Sequence, residues 1–268
     1  MDMPNNSFKK ALANETPAYG LWLSIPDTSV AEIAAGAGFD WLLIDHEHGN
    51  FELRDIFHHL QTMAAYPVAP IVRPVNDDPA LLKRLLDSGV QTLLMPMIES
   101  AEQAESVIHA TRYPPEGGRG LGTSMARAAH WNGIPGYIEN SNEQICVIIQ
   151  VETANAVEQI DDILKVDGVD GIFLGPSDLS ASMGYPGNAG HPEVKKTLVE
   201  SLSKIRAANK IAGLLCLDLE LRDYYIDHGA QFIGVGVDTL LLAQSARQLA
   251  SKCRNQGEDN NETNPASY

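Results

Sequence analysis

Eight short apolar runs recur along the chain, and most are hydrophobic at nearly every position rather than at alternate ones. A strand buried on both faces of a parallel sheet has this pattern. The runs are residues 19–25, 41–45, 69–75, 92–98, 145–152, 171–174, 212–217 and 232–237. They predict eight parallel strands.

Amphipathic stretches with helical spacing separate these runs. They are residues 29–37, 79–88, 101–110, 154–164, 192–209, 219–228 and 240–253. Passages such as AGAGFDWLLID and DHGAQFIGVGVD repeat the order helix end, glycine turn and strand, which is typical of chained βα units. Eight strands favour a closed barrel over an open doubly wound sheet, and a length of 268 residues is close to the roughly 250 of such barrels. We therefore predict an α/β fold, a single-domain (β/α)8 TIM barrel over residues 1–253.

Two segments fall outside this repeat. Residues 114–140 are rich in glycine and contain Arg119, Arg127 and Trp131. Loops of this length are usually functional or disordered, and we interpret this one, which comes after the fourth strand, as overhanging the active end of the barrel. Residues 254–268 are polar and have no apolar face, and this composition predicts a disordered tail.

Composition narrows the classes of partner. A net charge of −16 repels nucleic-acid phosphates and anionic membranes, so we expect no nucleic-acid or membrane partner. No signal peptide and no apolar run long enough for a membrane helix are visible. The three cysteines lack a zinc-binding spacing, which favours a reducing, cytoplasmic location.

Polar residues gather where the predicted strands end, the position of catalytic groups in such barrels. Glu152 ends the fifth strand and Asp178 follows the sixth, so the two carboxylates can converge. Because close carboxylates repel, a divalent cation such as Mg²⁺, Mn²⁺ or Co²⁺ would stabilise the pair, whereas Zn²⁺ more often recruits histidine or cysteine. From spacing alone, two solvated or hydrogen-bonded acids stay an alternative.

Three more candidates lie at strand ends. His48 suits a general acid/base with Asp45 orienting its ring, and the alternative is a structural or capping histidine. Arg73 follows an apolar run and needs an anion or an oxygen dipole, from a substrate or from a salt bridge, for example to Asp87. The turn at residues 175–180, GPSDLS, is similar to an anion-binding turn.

Some chemistry lacks its residues. No lysine lies at the carboxyl end of a predicted strand, so a Schiff-base aldolase would have no nucleophile. The nucleophile elbow, the P-loop and the dinucleotide fingerprint are missing too.

The chain resembles the pyruvate-dependent class II aldolases of the HpcH/HpaI type. Seven passages carry the resemblance in family order between residues 21 and 250: AGFDWLLIDHEH, IVRP, LLDSGVQTLLMPM, ATRYPPEGGRGLG, VIIQVET, VDGVDGIFLGPSDLSASMGY and GVGVDT. The resemblance implies metal-dependent retro-aldol cleavage of 4-hydroxy-2-oxo acids to pyruvate and an aldehyde, through a metal-bound pyruvate enolate stabilised by Mg²⁺, Mn²⁺ or Co²⁺. It also implies a role in aromatic or sugar-acid catabolism, and homohexamers whose sites can borrow residues from a neighbour.

The same resemblance implies roles for particular residues. These are Glu152 and Asp178 as metal ligands, His48 as the catalytic histidine with Asp45 as its partner and Asp87 in support, Arg73 at the keto oxygen, the backbone at Ser177 and Asp178 for the carboxylate of pyruvate, Gln150 close to the metal, and Trp22 and Leu215 lining the pocket. His46 stands where many relatives have glycine, and Ser177 replaces a common alanine. The acceptor therefore stays open among semialdehydes, sugar-derived aldehydes and glyoxylate-like compounds.

Two other functions stay open at this point. A lyase acting on acyl-CoA esters, as in citrate-lyase-like barrels, needs a basic patch for the nucleotide, and so acidic a chain shows none. A non-catalytic barrel that binds oxo acids would keep Arg73 and the anion turn without needing the His48–Asp45 pair.

Overall fold

Eight parallel strands close into a barrel in chain order, so the predicted (β/α)8 TIM barrel is confirmed. The computed structural model describes residues 1–12 and 16–255. The strands are β1 (Ala18–Leu23), β2 (Trp41–Asp45), β3 (Ala69–Arg73), β4 (Thr92–Met95), β5 (Cys146–Val151), β6 (Gly171–Leu174), β7 (Ile211–Leu215) and β8 (Phe232–Val237). Pairing between β1 and β8 closes the barrel.

Helices surround the strands and follow them in sequence. They are α1 (Ser7–Leu12), α2 (Thr28–Ala35), α3 (Leu53–Met63), α4 (Pro79–Ser88), α5 (Ala101–Thr111), α6 (Tyr137–Gln144), α7 (Ala154–Glu158), α8 (Ile160–Ile163), α9 (Pro176–Ser182), α10 (Pro192–Ala207), α11 (Leu219–Asp227) and α12 (Asp238–Asn255). In the described parts of the chain, no helix combines the length and apolar character needed to cross a membrane.

Large aromatic side chains fill the amino-terminal half of the barrel. Trp41 packs edge-on against Phe232 at 5.8 Å between ring centroids, and Phe8 of α1 covers both rings from below. Gly20 makes this packing possible, since a Cβ atom there would lie 2.0 Å from the indole of Trp41. Beyond this filled half, the barrel opens into a cavity at the carboxyl ends of the strands.

The segment 114–140 does not overhang those carboxyl ends, so that prediction is wrong. It follows α5, and this helix has already returned the chain to the amino-terminal end of the barrel. Arg127 donates to the carbonyl oxygens of Ser88 at 3.1 Å and Leu60 at 3.5 Å, late in α4 and α3. The end of the segment is helical, because α6 starts at Tyr137.

The predicted boundary of the tail also shifts. α12 continues through Arg254 to Asn255, so these two residues belong to a helix rather than to a disordered tail. Residues 256–268, which carry the rest of that prediction, lie outside the described residues.

Candidate active site

A cavity of about 310 Å³ opens at the carboxyl ends of the strands. The predicted site residues that line it are Trp22, Asp45, His48, Arg73, Gln150, Ser177, Asp178 and Leu215. They come from β1, β2, β3, β5 and β7, from the turn after β2 and from α9. The barrel thus brings together side chains that are almost 200 residues apart in sequence, because all eight parallel strands end at one rim.

Arg73 is the positive centre of this cavity. Its Nε and Nη2 atoms bind the two carboxylate oxygens of Asp45 at 2.9 and 2.8 Å, and Nη1 lies 2.8 Å from Oε2 of Glu47. Burial opposes the charge, but hydrogen bonds and charge from Asp45 outweigh it and raise the pKa of Arg73. The guanidinium therefore stays charged, and its salt bridges go to Asp45 and Glu47 rather than to Asp87.

His48 lies at the rim, with most of its side chain exposed. Asp45 accepts a hydrogen bond from the backbone N–H of His48 at 3.3 Å, while the ring nitrogen Nε2 lies 3.8 Å from Oε2 of Glu47. In this structure the Asp45 carboxylate makes no hydrogen bond to the ring of His48, so its orienting role stays a prediction. The physical reason for the missing hydrogen bond is competition, since Arg73 and the turn after β2 already occupy the Asp45 carboxylate.

Asp87 is placed away from His48. Its Oδ1 accepts a hydrogen bond of 2.7 Å from Arg119, a side chain that is almost fully buried beneath the ring of Tyr113. Asp87 borders a different cavity, together with Trp131 and Arg127. It lies near the carboxyl end of α4, so it does not reach the strand-end cavity of its own chain, and the support for His48 that the resemblance implied is not seen there.

Glu152 is a buried carboxylate, and each of its two oxygens accepts a hydrogen bond. Oε1 accepts from the backbone N–H of Met97 at 2.9 Å, and Oε2 accepts from the side-chain amide of Gln150. Met97 has a φ of 57°, a region that costs a residue with a side chain roughly 1–3 kcal/mol. This strained amide fixes the direction of the Glu152 carboxylate.

Gln150 leaves one atom without a partner. Its Oε1 is buried and accepts no hydrogen bond. Such an acceptor normally costs about 1–3 kcal/mol unless a donor or a cation satisfies it. The orphaned oxygen therefore points to an additional positive or hydrogen-bond-donating group beside Glu152.

Gly175 brings the start of α9 against Glu152. A Cβ atom at this position would lie 2.8 Å from the Cβ of Glu152 and 3.3 Å from its Oε2. Any other residue would fill the space beside the carboxylate. Asp178 follows in the first turn of α9, exposed in the cavity.

The oxygen donors present fit a hard divalent cation. Within residues 1–12 and 16–255, no three His, Cys, Asp or Glu side chains form a cluster that could hold a metal ion. The candidate metal ligands are therefore two carboxylates, from Glu152 and Asp178, together with the unpartnered side-chain oxygen of Gln150. Such a set matches Mg²⁺ or Mn²⁺, which keep water and substrate oxygens among their ligands.

The two residues that depart from the resemblance behave differently. Ser177 lines the cavity, but His46 does not. The Nδ1 atom of His46 is buried without a partner, and burial lowers the pKa of the ring, opposed by the charges of Glu52 and Asp45. A direct effect on the acceptor pocket is therefore expected of Ser177 only.

Sequence reasoning assigned no role to Glu47 or Met97, and it placed Gly175 in the predicted anion-binding turn without its close approach to Glu152. Glu47 carried a signal, because it is an acidic residue between Asp45 and His48 in the predicted strand-end turn. Met97 carried none, since only the structure reveals its positive φ and its hydrogen bond to Glu152.

Known proteins resemble this chain over almost its whole length. The profile of the HpcH/HpaI aldolase/citrate lyase family matches residues 18–245. The chain is 49% identical over 252 residues to hydroxypyruvate/pyruvate aldolase of Pseudomonas aeruginosa, covering 94% of each chain. It is also 49% identical over 247 residues to 4-hydroxy-2-oxo-heptane-1,7-dioate aldolase of Escherichia coli, covering 92% of this chain and 94% of that one.

The fold agrees with these sequence matches. The crystal structure of an HpcH/HpaI aldolase/citrate lyase family protein from Burkholderia cenocepacia J2315 superposes with a TM-score of 0.89 at 37% identity, covering 93% of this chain and 100% of that chain.

Proposed function

Because the chain belongs to the HpcH/HpaI aldolase/citrate lyase family, we propose that its strand-end cavity cleaves 4-hydroxy-2-oxo acids to pyruvate and an aldehyde, and catalyses the reverse condensation. The chain is an aldolase, a carbon–carbon lyase, as are relatives that share 49% of its residues. One observation carries the assignment to this cavity: the charged Arg73 and the carboxylates of Asp45 and Asp178 line a single space at the strand ends.

The reaction sets two demands on the site. A base takes the proton of the 4-hydroxyl group, the C3–C4 bond breaks, and its electron pair forms an enolate whose charge lies on the 2-oxo oxygen. C3 of the enolate then takes a proton to give pyruvate. The site must therefore stabilise negative charge at the 2-oxo oxygen and exchange a proton at the 4-oxygen.

Arg73 meets the first demand. Nε and Nη2 each donate one N–H to Asp45, whereas Nη1 lies 2.8 Å from Oε2 of Glu47 without donating a hydrogen bond to it. The guanidinium therefore keeps N–H groups for the oxo acid. The guanidinium is held in place before the substrate arrives, and no reorganisation is needed as charge develops on the oxygen. Ser177 and Asp178 line the same cavity, and their backbone N–H groups would bind the substrate carboxylate.

His48 meets the second demand. Its ring lies at the exposed rim of the same cavity, where it reaches both solvent and a bound 4-oxygen. A histidine exchanges protons near neutral pH, which suits a general base in cleavage and a general acid in condensation. Trp22 and Leu215 form an apolar wall beside it.

Glu152 and Asp178 would hold a divalent metal ion, and the unpartnered oxygen of Gln150 could serve as a further donor. When bound, the ion supplies Lewis-acid stabilisation of the charge that develops on the oxo acid. Oxygen donors favour Mg²⁺, Mn²⁺ or Co²⁺. Arg73 and Asp178 line the same cavity, so Arg73 would add its positive charge to that of an ion held there.

A homo-oligomer is the expected assembly, and we infer a hexamer from the resemblance. α12 projects from the barrel with Leu241, Leu242 and Leu249 exposed. A helix with such an apolar surface normally packs on a partner, here another copy of the chain.

Sedimentation should give a mass several times 29.0 kDa, and Leu242→Glu should dissociate the assembly. A wild-type monomer would contradict the inference.

The cysteines fit the cytoplasm as location. Cys146, Cys216 and Cys253 are free thiols in the described part of the chain, and the first two are buried. Free thiols persist in a reducing compartment.

The decisive experiment is a substrate panel. Pyruvate or hydroxypyruvate is incubated with a semialdehyde, glyceraldehyde or glyoxylate in the presence of Mg²⁺, Mn²⁺ or Co²⁺, and the hydroxy-oxo acid product is quantified by chromatography. We expect condensation with at least one aldehyde and release of pyruvate from the isolated product. Binding of pyruvate without turnover of any aldehyde would indicate the non-catalytic barrel. Cleavage of a 3-hydroxyacyl-CoA ester in its place would indicate the other lyase class.

A further inference from the structure

Glu47 is a half-buried carboxylate that the reaction described above does not use. It lies two residues beyond the end of β2, and its side chain is 15% exposed. One oxygen atom, Oε2, lies 2.8 Å from Nη1 of Arg73 and 3.8 Å from Nε2 of His48. This oxygen accepts no hydrogen bond. One carboxylate therefore lies at ion-pair distance from both the group proposed to face the 2-oxo oxygen and the group proposed to exchange the proton.

The charges around Glu47 indicate that this contact is more than neutralisation of Arg73. Asp45 already balances the guanidinium with two hydrogen bonds. Burial raises the pKa of Glu47, and the positive charge of Arg73 opposes that shift. Burying a second carboxylate beside one guanidinium costs desolvation free energy unless another positive group lies near that carboxylate. The His48 ring, when protonated, is such a group.

The spacing of the oxygen atoms in the substrate explains why Arg73 and His48 need a fixed separation. Its 2-oxo and 4-hydroxyl oxygens are separated by a fixed carbon chain, so Arg73 and His48 must also stand at a fixed separation. We propose that Glu47 is a positioning residue of the aldolase, which holds Arg73 and His48 relative to each other so that they face these two oxygens of one bound substrate. The inference rests on the proposed function and adds a residue to it.

Three variants test the role of Glu47. Glu47→Gln removes the charge at nearly constant volume, Glu47→Asp keeps the charge but shortens its reach, and Glu105→Gln makes the same chemical change on the exposed face of α5. For Glu47→Gln we expect kcat of retro-aldol cleavage to fall about 10- to 100-fold, because misplaced groups cost this much. The KM for the hydroxy-oxo acid and the metal concentration for half-maximal rate should stay within about threefold, since binding groups are retained.

The shortened side chain separates position from charge. Glu47→Asp reaches Arg73 and His48 less well, so we expect it to leave kcat low, and it replaces Glu47→Gln as the deciding variant if the latter does not fold. Recovery of full activity in Glu47→Asp would mean that charge alone matters and would overturn the positioning role. Circular dichroism melting of each variant checks that the fold persists, and Glu105→Gln should match the wild type.

Failure of this inference differs from failure of the proposed function. If Glu47→Gln keeps kcat within about twofold of wild type while His48→Ala is impaired, only the positioning role is lost. If His48→Ala also keeps full activity, the role of His48 in the proposed function is lost as well.

Discussion

Glu152→Gln should lose about 1,000-fold in aldolase activity at limiting metal concentration. The amide has almost the same shape as the carboxylate but no charge to oppose a divalent ion. It also presents an N–H₂ group either to the N–H of Met97 or to the amide of Gln150, which both now donate to Glu152. A 1,000-fold loss corresponds to about 4 kcal/mol, within the several kcal/mol that a metal ion contributes to such transition states.

The measurement uses the wild type and the variant after treatment with chelator and gel filtration. Wild-type turnover should vanish without metal and return with Mg²⁺, Mn²⁺ or Co²⁺, whereas the variant should require far higher concentrations. Calorimetric titration with Mn²⁺ should show the same loss of affinity without any substrate. Full wild-type activity in metal-free buffer would refute the metal site.

Glu99→Gln is the matched control for this experiment. Glu99 lies after β4 at the same end of the barrel and accepts hydrogen bonds from Thr153 at 2.9 Å and Asn155 at 3.3 Å. Neither partner of Glu99 lines the cavity, whereas Glu152 is bonded to Gln150, which does. Its activity and metal requirement should match the wild type. A control as impaired as Glu152→Gln would mean that lost charge at this rim, rather than lost metal binding, explains the result.

The barrel was predictable because its strands are buried on both faces. The bounds of β2, β6 and β8 agree with the predicted runs 41–45, 171–174 and 232–237. Once the strands were known, parallel pairing placed every strand end at one rim, which brought most of the predicted site residues into one cavity. No contact between individual side chains was needed for that step.

The contacts inside the site were not predictable in the same way. Asp45 stands directly opposite Arg73 in the pairing of β2 with β3, so the arginine reaches its carboxylate before the His48 ring can. The register between β2 and β3 determines whether Arg73 or His48 reaches Asp45, and this register cannot be derived from the sequence. The position of residues 114–140 was wrong for a related reason, since α5 had already carried the chain to the opposite end of the barrel.

The second large effect is expected for His48→Ala. General acid/base groups contribute about 100- to 10,000-fold to a rate, and kcat of cleavage should fall within this range. The KM for the hydroxy-oxo acid should change little, because the proposed binding contacts of Arg73 and of the backbone at Ser177 remain. Steady-state kinetics with the pyruvate product coupled to lactate dehydrogenase measures both constants.

Chemical rescue makes the role of this histidine testable beyond a loss of activity. The His48 side chain is 72% exposed, so the space that alanine leaves is open to solvent and can admit free imidazole. Added imidazole should raise kcat of His48→Ala with a saturable dependence, and it should leave the wild type unchanged. His58→Ala, on the partly exposed face of α3, controls for loss of a histidine as such and should behave like the wild type. A kcat of His48→Ala within about twofold of wild type would remove His48 from proton transfer, because no other histidine lines the cavity in the described part of the chain.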